Sequence, residues 1–102
     1  MLENGIFAGE PALSQLRQNP ARRRYEFDVE GGEALVFYRL ADGVMTFTHT
    51  EVPAALRGRG LGSQMMRAVL ENVRAQSLKV VPACPFVADF IDRHPEFADL
   101  LA

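Results

Sequence analysis

The sequence predicts an α/β fold of the α+β mixed-sheet type, in which an antiparallel meander precedes a parallel strand–helix–strand unit and a short C-terminal helix. Hydrophobic residues first recur with a period of two, beginning at Tyr25. After Pro53 the period becomes that of a helix, and a short β-rich run follows this helix. Because 102 residues fit one compact core, we expect a single domain spanning residues 1–102.

The meander is predicted from alternation and from turn residues. Tyr25, Phe27 and Val29 alternate with acidic residues, which places Glu26 on the solvent side of a half-buried strand. A glycine after an aspartate is a strong signal for a two-residue hairpin turn. The predicted elements are a strand over residues 25–29, a turn at Gly31-Gly32, a strand over residues 34–40, a turn at Asp42-Gly43 and a strand over residues 44–52.

The helices are predicted from apolar residues three and four positions apart. One face of the first helix carries Leu61, Met65, Met66, Val69, Leu70 and Val73. We interpret its two methionines as core residues rather than as a flexible binding stripe. Residues 78–81 predict a strand parallel to the one before the helix, and residues 86–93 predict a second helix. A weaker pattern predicts a further helix over residues 11–18.

Composition and charge exclude several classes of protein. The net charge of -2 argues against binding nucleic acid through phosphate contacts. We interpret Arg22-Arg23-Arg24 as a solvated strand edge, with phosphate binding as the minor alternative. The single cysteine, Cys84, excludes an internal disulfide, and no apolar run approaches the ~20 residues that span a bilayer. We therefore expect a cytoplasmic protein that binds neither membranes, nucleic acid nor metal ions.

The segment Arg57-Gly58-Arg59-Gly60-Leu61-Gly62 is the most informative part of the sequence. Its glycines let backbone N–H groups approach a ligand closely, and the following helix adds the positive end of its dipole. A pyrophosphate is an anion that fits such a site. The P-loop pattern fails because no lysine follows Gly62, and the spacing does not match the dinucleotide pattern G-x-G-x-x-G.

The same residues resemble a family motif. Arg57-x-x-Gly60-x-Gly62 after a strand looks like the acetyl-coenzyme A motif of the GNAT-type N-acetyltransferase superfamily. The segments His49-Thr50-Glu51-Val52-Pro53 and Val81-Pro82-Ala83-Cys84-Pro85 resemble the very short, single-domain members with a cysteine after the fifth strand. The resemblance implies that the loop amides hold the pyrophosphate of acetyl-coenzyme A, while the pantetheine arm lies along the preceding strand. The cofactor-binding residues it implies are Val52, Arg57, Gly58, Arg59, Gly60, Leu61 and Gly62.

Three residues are candidates for catalysis: His49, Glu51 and Cys84. Acetyl transfer to an amine needs a base, and His49 and Glu51 share one strand face; Glu51 is our first choice. Pro85 suits the first position of a helix, so that Cys84 lies at a helix N-terminus, where a thiolate nucleophile is stabilised. Each candidate also has a non-catalytic interpretation: Glu51 as a surface charge, His49 as a hydrogen-bonded residue of the core or cleft, and Cys84 as a small buried side chain. We expect one crevice, at the carboxyl ends of the parallel strands, to contain all three and the glycine loop.

The helix after the fifth strand lacks the tyrosine with which many members of the superfamily protonate the leaving thiolate. Phe86 and Phe90 cannot donate a proton, and His94 is expected to cap the end of this helix. The resemblance therefore implies an acetyl-coenzyme A dependent N-acetyltransferase of slow turnover, whose acceptor is a primary amine of a protein lysine or a small polyamine. The alternatives are a non-catalytic acetyl-coenzyme A binding or sensing module, and an adaptor that binds nucleic acid or a partner protein through Arg22-Arg23-Arg24. The sequence does not predict an oligomeric state.

Overall fold

The computed structural model describes residues 16–29, 32–54 and 60–102. In chain order its elements are β1 (Leu16–Asn19), a 3₁₀ helix (Pro20–Arg22), β2 (Arg24–Val29), β3 (Gly32–Ala41), β4 (Val44–Glu51), α1 (Leu61–Ala75), β5 (Lys79–Pro82), α2 (Pro85–Arg93) and a second 3₁₀ helix (Pro95–Leu100). The strands lie in the sheet in the order β1-β2-β3-β4-β5, with β1 to β4 antiparallel and β5 parallel to β4. The predicted mixed sheet is therefore confirmed, as are its parallel strand–helix–strand unit and its C-terminal helix.

The meander has one more strand than the sequence predicts. The helix predicted over residues 11–18 is wrong for its described part, because Leu16–Asn19 pairs antiparallel with β2; residues 11–15 lie outside the described residues. Leu16 is paired with the buried Phe27, and the side-chain amide of Gln18 donates to the Tyr38 hydroxyl at 2.8 Å. Partners distant in sequence thus override a weak local helical pattern.

The three consecutive arginines do not form the edge of the sheet, which corrects the prediction for them. Strand β1 lies outside β2, so β2 is an interior strand. Arg22 ends a 3₁₀ helix, and Arg23 takes the left-handed conformation (φ 56°). The Arg24 guanidinium lies 5.7 Å from the centre of the Phe37 ring on the neighbouring strand. Arg24 is therefore a sheet-face residue.

Glu26 lies on the outer face of the sheet, as alternation predicts, but it is buried there, with 7% of the residue exposed. Its side chain accepts hydrogen bonds from Arg24 Nε at 2.8 Å, Asn19 Nδ2 at 3.0 Å and an Arg17 guanidinium nitrogen at 3.0 Å. These partners cover the carboxylate, and the bond from Arg24 contributes most to lowering the pKa of Glu26 from 4.5 to about 2, against the opposing effect of desolvation. A buried charge is acceptable here because it is paired and hydrogen-bonded.

The turns explain how the antiparallel strands keep their register. At Asp42-Gly43 both residues have positive φ (54° and 77°), and the residues on either side pair across β3 and β4. This is the geometry of a type I′ hairpin, as predicted. The turn predicted at Gly31-Gly32 is displaced, because Gly32 pairs with Val29 as the first residue of β3. Gly31 lies outside the described residues.

The core lies between one face of the sheet and the two helices. All the apolar residues predicted for the buried face of α1 are fully buried except the half-buried Leu61, so the interpretation of Met65 and Met66 as core residues is confirmed. Tyr25 joins sheet to helix, since its hydroxyl donates to Asn72 Oδ1 at 2.7 Å, and burial raises its pKa. Within the described ranges, no helix has the length and apolar character needed to cross a bilayer.

The C-terminal 3₁₀ helix is held against α1 by a fully buried phenylalanine. The guanidinium groups of Arg67 and Arg74 lie 5.4 and 5.3 Å from the centre of the Phe97 ring. Arg67 also pairs with Glu96 at 3.0 Å and Arg74 with Asp99 at 2.5 Å. The aliphatic and cationic parts of two helix residues thus cover an aromatic ring that would otherwise face water.

Candidate active site

Strands β4 and β5 separate at the point where the candidate residues lie. Their parallel ladder ends with the pair Phe47 and Pro82, and the Cys84 N–H donates to the Phe47 carbonyl oxygen at 2.9 Å. Residues 48–51 of β4 continue without a ladder partner on β5, and the chain after Cys84 turns into α2. A crevice at the carboxyl ends of two parallel strands is the usual position of a ligand site in such sheets.

Helix α1 begins near this region, and its N-cap residue is a glycine. Gly60 is the N-cap residue with φ 76°, a conformation that favours glycine, and it has no side chain with which to cap the helix. The first intrahelical bond runs from the Gln64 N–H to the Gly60 oxygen at 3.1 Å. The N–H groups of Leu61 and Gly62 therefore have no intrahelical acceptor and suit an anion. The other predicted phosphate-binding residues, Arg57, Gly58 and Arg59, lie outside the described residues.

Gly62 brings the ends of three elements together. A Cβ atom at this position would lie 3.0 Å from Phe86 Cζ, at the start of α2, and 3.8 Å from Val52 Cγ2, just beyond β4. The close approach of the Phe86 ring is a packing reason for glycine at position 62, separate from any contact with a ligand. Val52, predicted to contact the pantetheine arm, thus lies beside the start of α1.

Cys84 lies at the N-terminus of α2, as predicted. It is the N-cap residue, with Pro85 in the first helical position, and the Ala88 N–H donates to its carbonyl oxygen at 3.0 Å. Its side chain is buried, with 5% of the residue exposed. The Sγ atom lies 3.4 Å from Thr50 Oγ1, a hydrogen-bond distance for sulfur. The thiol is therefore held at the point where β4 and β5 separate.

A β-bulge at Thr48 reverses the alternation of side chains along β4. Phe37 and Tyr38 are adjacent on β3, but they pair with His49 and Phe47, which leaves Thr48 as the extra residue. Because of this extra residue, the side chains after the bulge point to the faces opposite to those that a period of two predicts.

The bulge places Thr50, rather than its neighbours, on the same face as Cys84. Thr50 pairs with the fully buried Val36, whereas His49 pairs with a residue of the outer face. Glu51 faces the same way as His49, as predicted. The structure therefore does not bring His49 and Glu51 onto the face that contains Cys84.

His49 and Glu51 form a pair on the outer face of the sheet. His49 Nε2 lies 3.1 Å from Glu51 Oε2, and the two side chains are 61% and 55% exposed. The His49 ring is 5.9 Å from the Phe37 ring, centre to centre. A surface pocket of about 400 Å³ lies beside the pair. It is lined by Glu33, His49, Thr50, Glu51, Val52 and Pro53.

Comparisons with known proteins show the family of the chain. The model of the GCN5-related N-acetyltransferase family matches residues 24–100. The chain belongs to this family. Protein NATD1 of Bos taurus and that of Homo sapiens are each 28% identical to the chain over 85 residues, which cover 78% of the chain and 75% of the relative.

A solved structure supports the fold in particular. The solution structure of a GCN5-like protein from Staphylococcus aureus matches with a TM-score of 0.66, at 24% identity, over 85% of this chain and 86% of that one. The resemblance to the acetyltransferase superfamily and the predicted fold class are thus confirmed.

Helix α2 of this family member carries no proton donor at its two aromatic positions. Phe86 and Phe90 both lie on it, as predicted. His94 caps its C-terminus, with Nδ1 2.8 Å from the Phe90 carbonyl oxygen and its ring stacked on the Phe90 ring at 4.0 Å. The cap expected for His94 is therefore confirmed.

Thr50 is the residue at this site that the sequence reasoning missed. It lies inside the His49-Thr50-Glu51 segment, but a period of two assigns it to the face opposite Cys84. Only the pairing of β4 with β3 reveals the extra residue, and that pairing is not visible in the local pattern of β4.

Proposed function

We propose that this protein binds acetyl-coenzyme A and transfers the acetyl group to a primary amine, with a protein lysine or a small polyamine as acceptor. Membership of the GCN5-related N-acetyltransferase family supports the class of reaction. The observation that carries the proposal is the contact of the glycine-headed start of α1 with Phe86, in the first turn of the helix that Cys84 caps at the end of the β4–β5 ladder. The start of α1, which suits an anion, thus packs against the helix that positions the thiol.

In the proposed complex, the N–H groups at the start of α1 bind the pyrophosphate, and Arg57 and Arg59 supply opposite charge. The pantetheine arm extends along residues 48–51, where β4 continues beyond its ladder with β5, and reaches Val52. The thioester then lies near Cys84, where the two strands separate.

Two routes of acetyl transfer fit these positions. In direct transfer, the neutral amine approaches from the outer face of the sheet and attacks the thioester carbon, Glu51 or His49 on that face accepts the amine proton, and coenzyme A leaves as a thiolate. In the two-step route, the Cys84 thiolate first forms an acetyl-cysteine while the bond to coenzyme A breaks, and the amine then regenerates the thiol. Since the two aromatic residues of α2 are phenylalanines, the leaving thiolate takes its proton from water or from another group.

A non-catalytic acetyl-coenzyme A binding or sensing module is the second candidate function. The burial of Cys84, at 5% exposure, favours it, as does the separation of the His49–Glu51 pair from the thiol by the sheet. Such a module needs the anion site of α1 but neither the thiol nor the base.

The first experiment is isothermal titration with acetyl-coenzyme A, for which we expect saturable binding. If no heat of binding is measured even at high protein concentration, both candidate functions are excluded. Intact-mass analysis after incubation with acetyl-coenzyme A and a polyamine then separates them, because a sensing module leaves both Cys84 and the amine unmodified.

Two variants distinguish the routes of transfer. Cys84→Ala abolishes the two-step route, so undiminished transfer by this variant selects the direct one. Glu51→Gln removes the favoured base and should lower the rate while flattening its dependence on pH. Glu71→Gln, which removes an exposed carboxylate in the middle of α1, is the matched control and should leave the rate unchanged.

A further inference from the structure

Thr50 and Cys84 form a hydroxyl–thiol pair at the end of the β4–β5 ladder. We infer that Thr50 is a positioning residue for Cys84, whose hydroxyl orients the sulfur and stabilises its thiolate. The inference rests on the proposed function in so far as Cys84 receives an acetyl group there. Its physical basis is the contact between Oγ1 and Sγ at 3.4 Å.

The backbone fixes both members of the pair. Thr50 is held by its antiparallel pairing with Val36, and Cys84 by the hydrogen bond from its N–H to the Phe47 oxygen at 2.9 Å. Both side chains are short; Thr50 belongs to a β-strand and Cys84 is the N-cap residue of a helix, so neither backbone has much freedom. Cys84 is also nearly inaccessible to water. The contact is therefore formed before any ligand arrives, which lowers the cost of placing the sulfur.

A hydroxyl is suited to this position because it can donate or accept a hydrogen bond. With the thiol protonated, S–H donates to Thr50 Oγ1; with the thiolate present, the hydroxyl donates to sulfur. The pair therefore keeps one hydrogen bond in both states of Cys84. A buried thiolate without such a donor would be poorly solvated.

The hydroxyl keeps its own proton during the acetyl step. The sulfur of Cys84 forms a bond to the acetyl carbon, the bond between that carbon and the coenzyme A sulfur breaks, and the departing thiolate takes up the proton released by Cys84. The neutral amine then attacks the acetyl-cysteine, forming the amide bond while the carbon–sulfur bond breaks; the electron pair stays on the Cys84 sulfur, which takes up the proton lost by the amine. Thr50 thus acts through Cys84 and exchanges no atoms.

The rate of alkylation of Cys84 by iodoacetamide, in the folded protein without coenzyme A, tests the pair. Cys84 is the only cysteine in the sequence, so the reaction reports on one atom. Thr50→Val keeps the branched shape and removes the hydroxyl; we expect alkylation at neutral pH to slow about fivefold, as for loss of one hydrogen bond. Thr50→Ser restores the hydroxyl and should stay within about twofold of the original rate.

Thr48→Val is the matched control, because its hydroxyl lies on the same strand and contacts the Phe37 oxygen at 3.4 Å. Its alkylation rate should equal that of the unmodified sequence. Equal rates for Thr50→Val and Thr48→Val would overturn the inference, as would a rate for Thr50→Ser as low as that for Thr50→Val. Should Thr50→Val fail to fold, Thr50→Ala against Thr50→Ser makes the same comparison.

The kinetics of acetyl transfer provide a second measurement, which would not change if Thr50 had only a structural role. Thr50→Val should lower kcat about fivefold and leave KM for acetyl-coenzyme A unchanged, because the residue acts on the sulfur and not on the pyrophosphate. Unchanged kcat would count against the inference while leaving the proposed function intact. Failure of the unmodified protein to bind acetyl-coenzyme A is the separate result that removes the proposed function.

Discussion

Replacing Gly62 with alanine separates the two reasons for glycine at the start of α1. The new Cβ would lie 3.0 Å from Phe86 Cζ and 3.5 Å from its Cε1. Ordinary carbon contacts lie at about 3.5–4.0 Å, so the ring must move by about half an ångström. The same methyl group would also add bulk to the first turn of α1, where we propose that the pyrophosphate binds.

The structure sets the expected magnitudes. Alanine in place of a helical glycine stabilises by up to about 1 kcal/mol, whereas overpacking costs about 1–3 kcal/mol. Phe86 is 38% exposed and its ring can turn outward, so the overpacking cost should fall at the lower end. The free energy of unfolding of Gly62→Ala should therefore change by no more than about 1 kcal/mol. Affinity for acetyl-coenzyme A should fall at least about tenfold, because even one lost hydrogen bond to a charged group is worth about 1.5–3 kcal/mol.

The assay compares four proteins by urea denaturation and by titration with acetyl-coenzyme A: the unmodified chain, Gly62→Ala, Phe86→Ala and the double variant. Phe86→Ala removes the ring that the new methyl group would meet. If the glycine serves the cofactor, the double variant binds acetyl-coenzyme A at least about tenfold more weakly than Phe86→Ala alone. Equal affinities of these two variants would refute the reasoning and leave packing as the only reason for Gly62.

Two further predictions concern the sheet and the C-terminus. Because the pKa of Glu26 is lowered in the folded protein, chiefly by Arg24, its contribution to stability is complete above pH 4.5 and is lost as the pH falls towards about 2. Glu26→Gln should therefore flatten the loss of stability in this range, as measured by urea denaturation at a series of pH values; an unchanged slope would contradict the assignment. Phe97→Leu should lower the free energy of unfolding by about 1–2 kcal/mol, since two guanidinium–ring contacts of about 0.5–1 kcal/mol each disappear. A thermal unfolding curve unaltered by this substitution would show that Arg67 and Arg74 do not stabilise the ring.

The sequence predicts those elements of the fold whose signal is local. The apolar stripe of α1 and the Asp42-Gly43 turn are visible within a few residues, and the structure confirms both. Strand β1 is different, because Leu16 is its only apolar residue and its stability depends on pairing with β2. The burial of Glu26 was not predicted for a related reason: the side chains that cover it come from β1 and from its own strand, and no pattern of alternation reveals them.

For the candidate site, the sequence predicts the position of Cys84 at a helix start better than its relation to His49 and Glu51. Cys84 takes the predicted N-cap position because Pro85 fixes the start of α2, which is a local signal. Whether His49 and Glu51 lie on the same face of the sheet as Cys84 depends on one extra residue in β4. A strand with such a bulge has the same kinds of residues as a strand without one, so the sequence does not reveal it.

The reversal of side-chain direction at Thr48 also bears on how two reactants can meet. Consecutive residues of one strand project to both sides of the sheet, Thr50 towards Cys84 and the His49–Glu51 pair away from it. For a group transferred past this strand, the donor and the acceptor would approach from opposite directions and would not compete for one entrance.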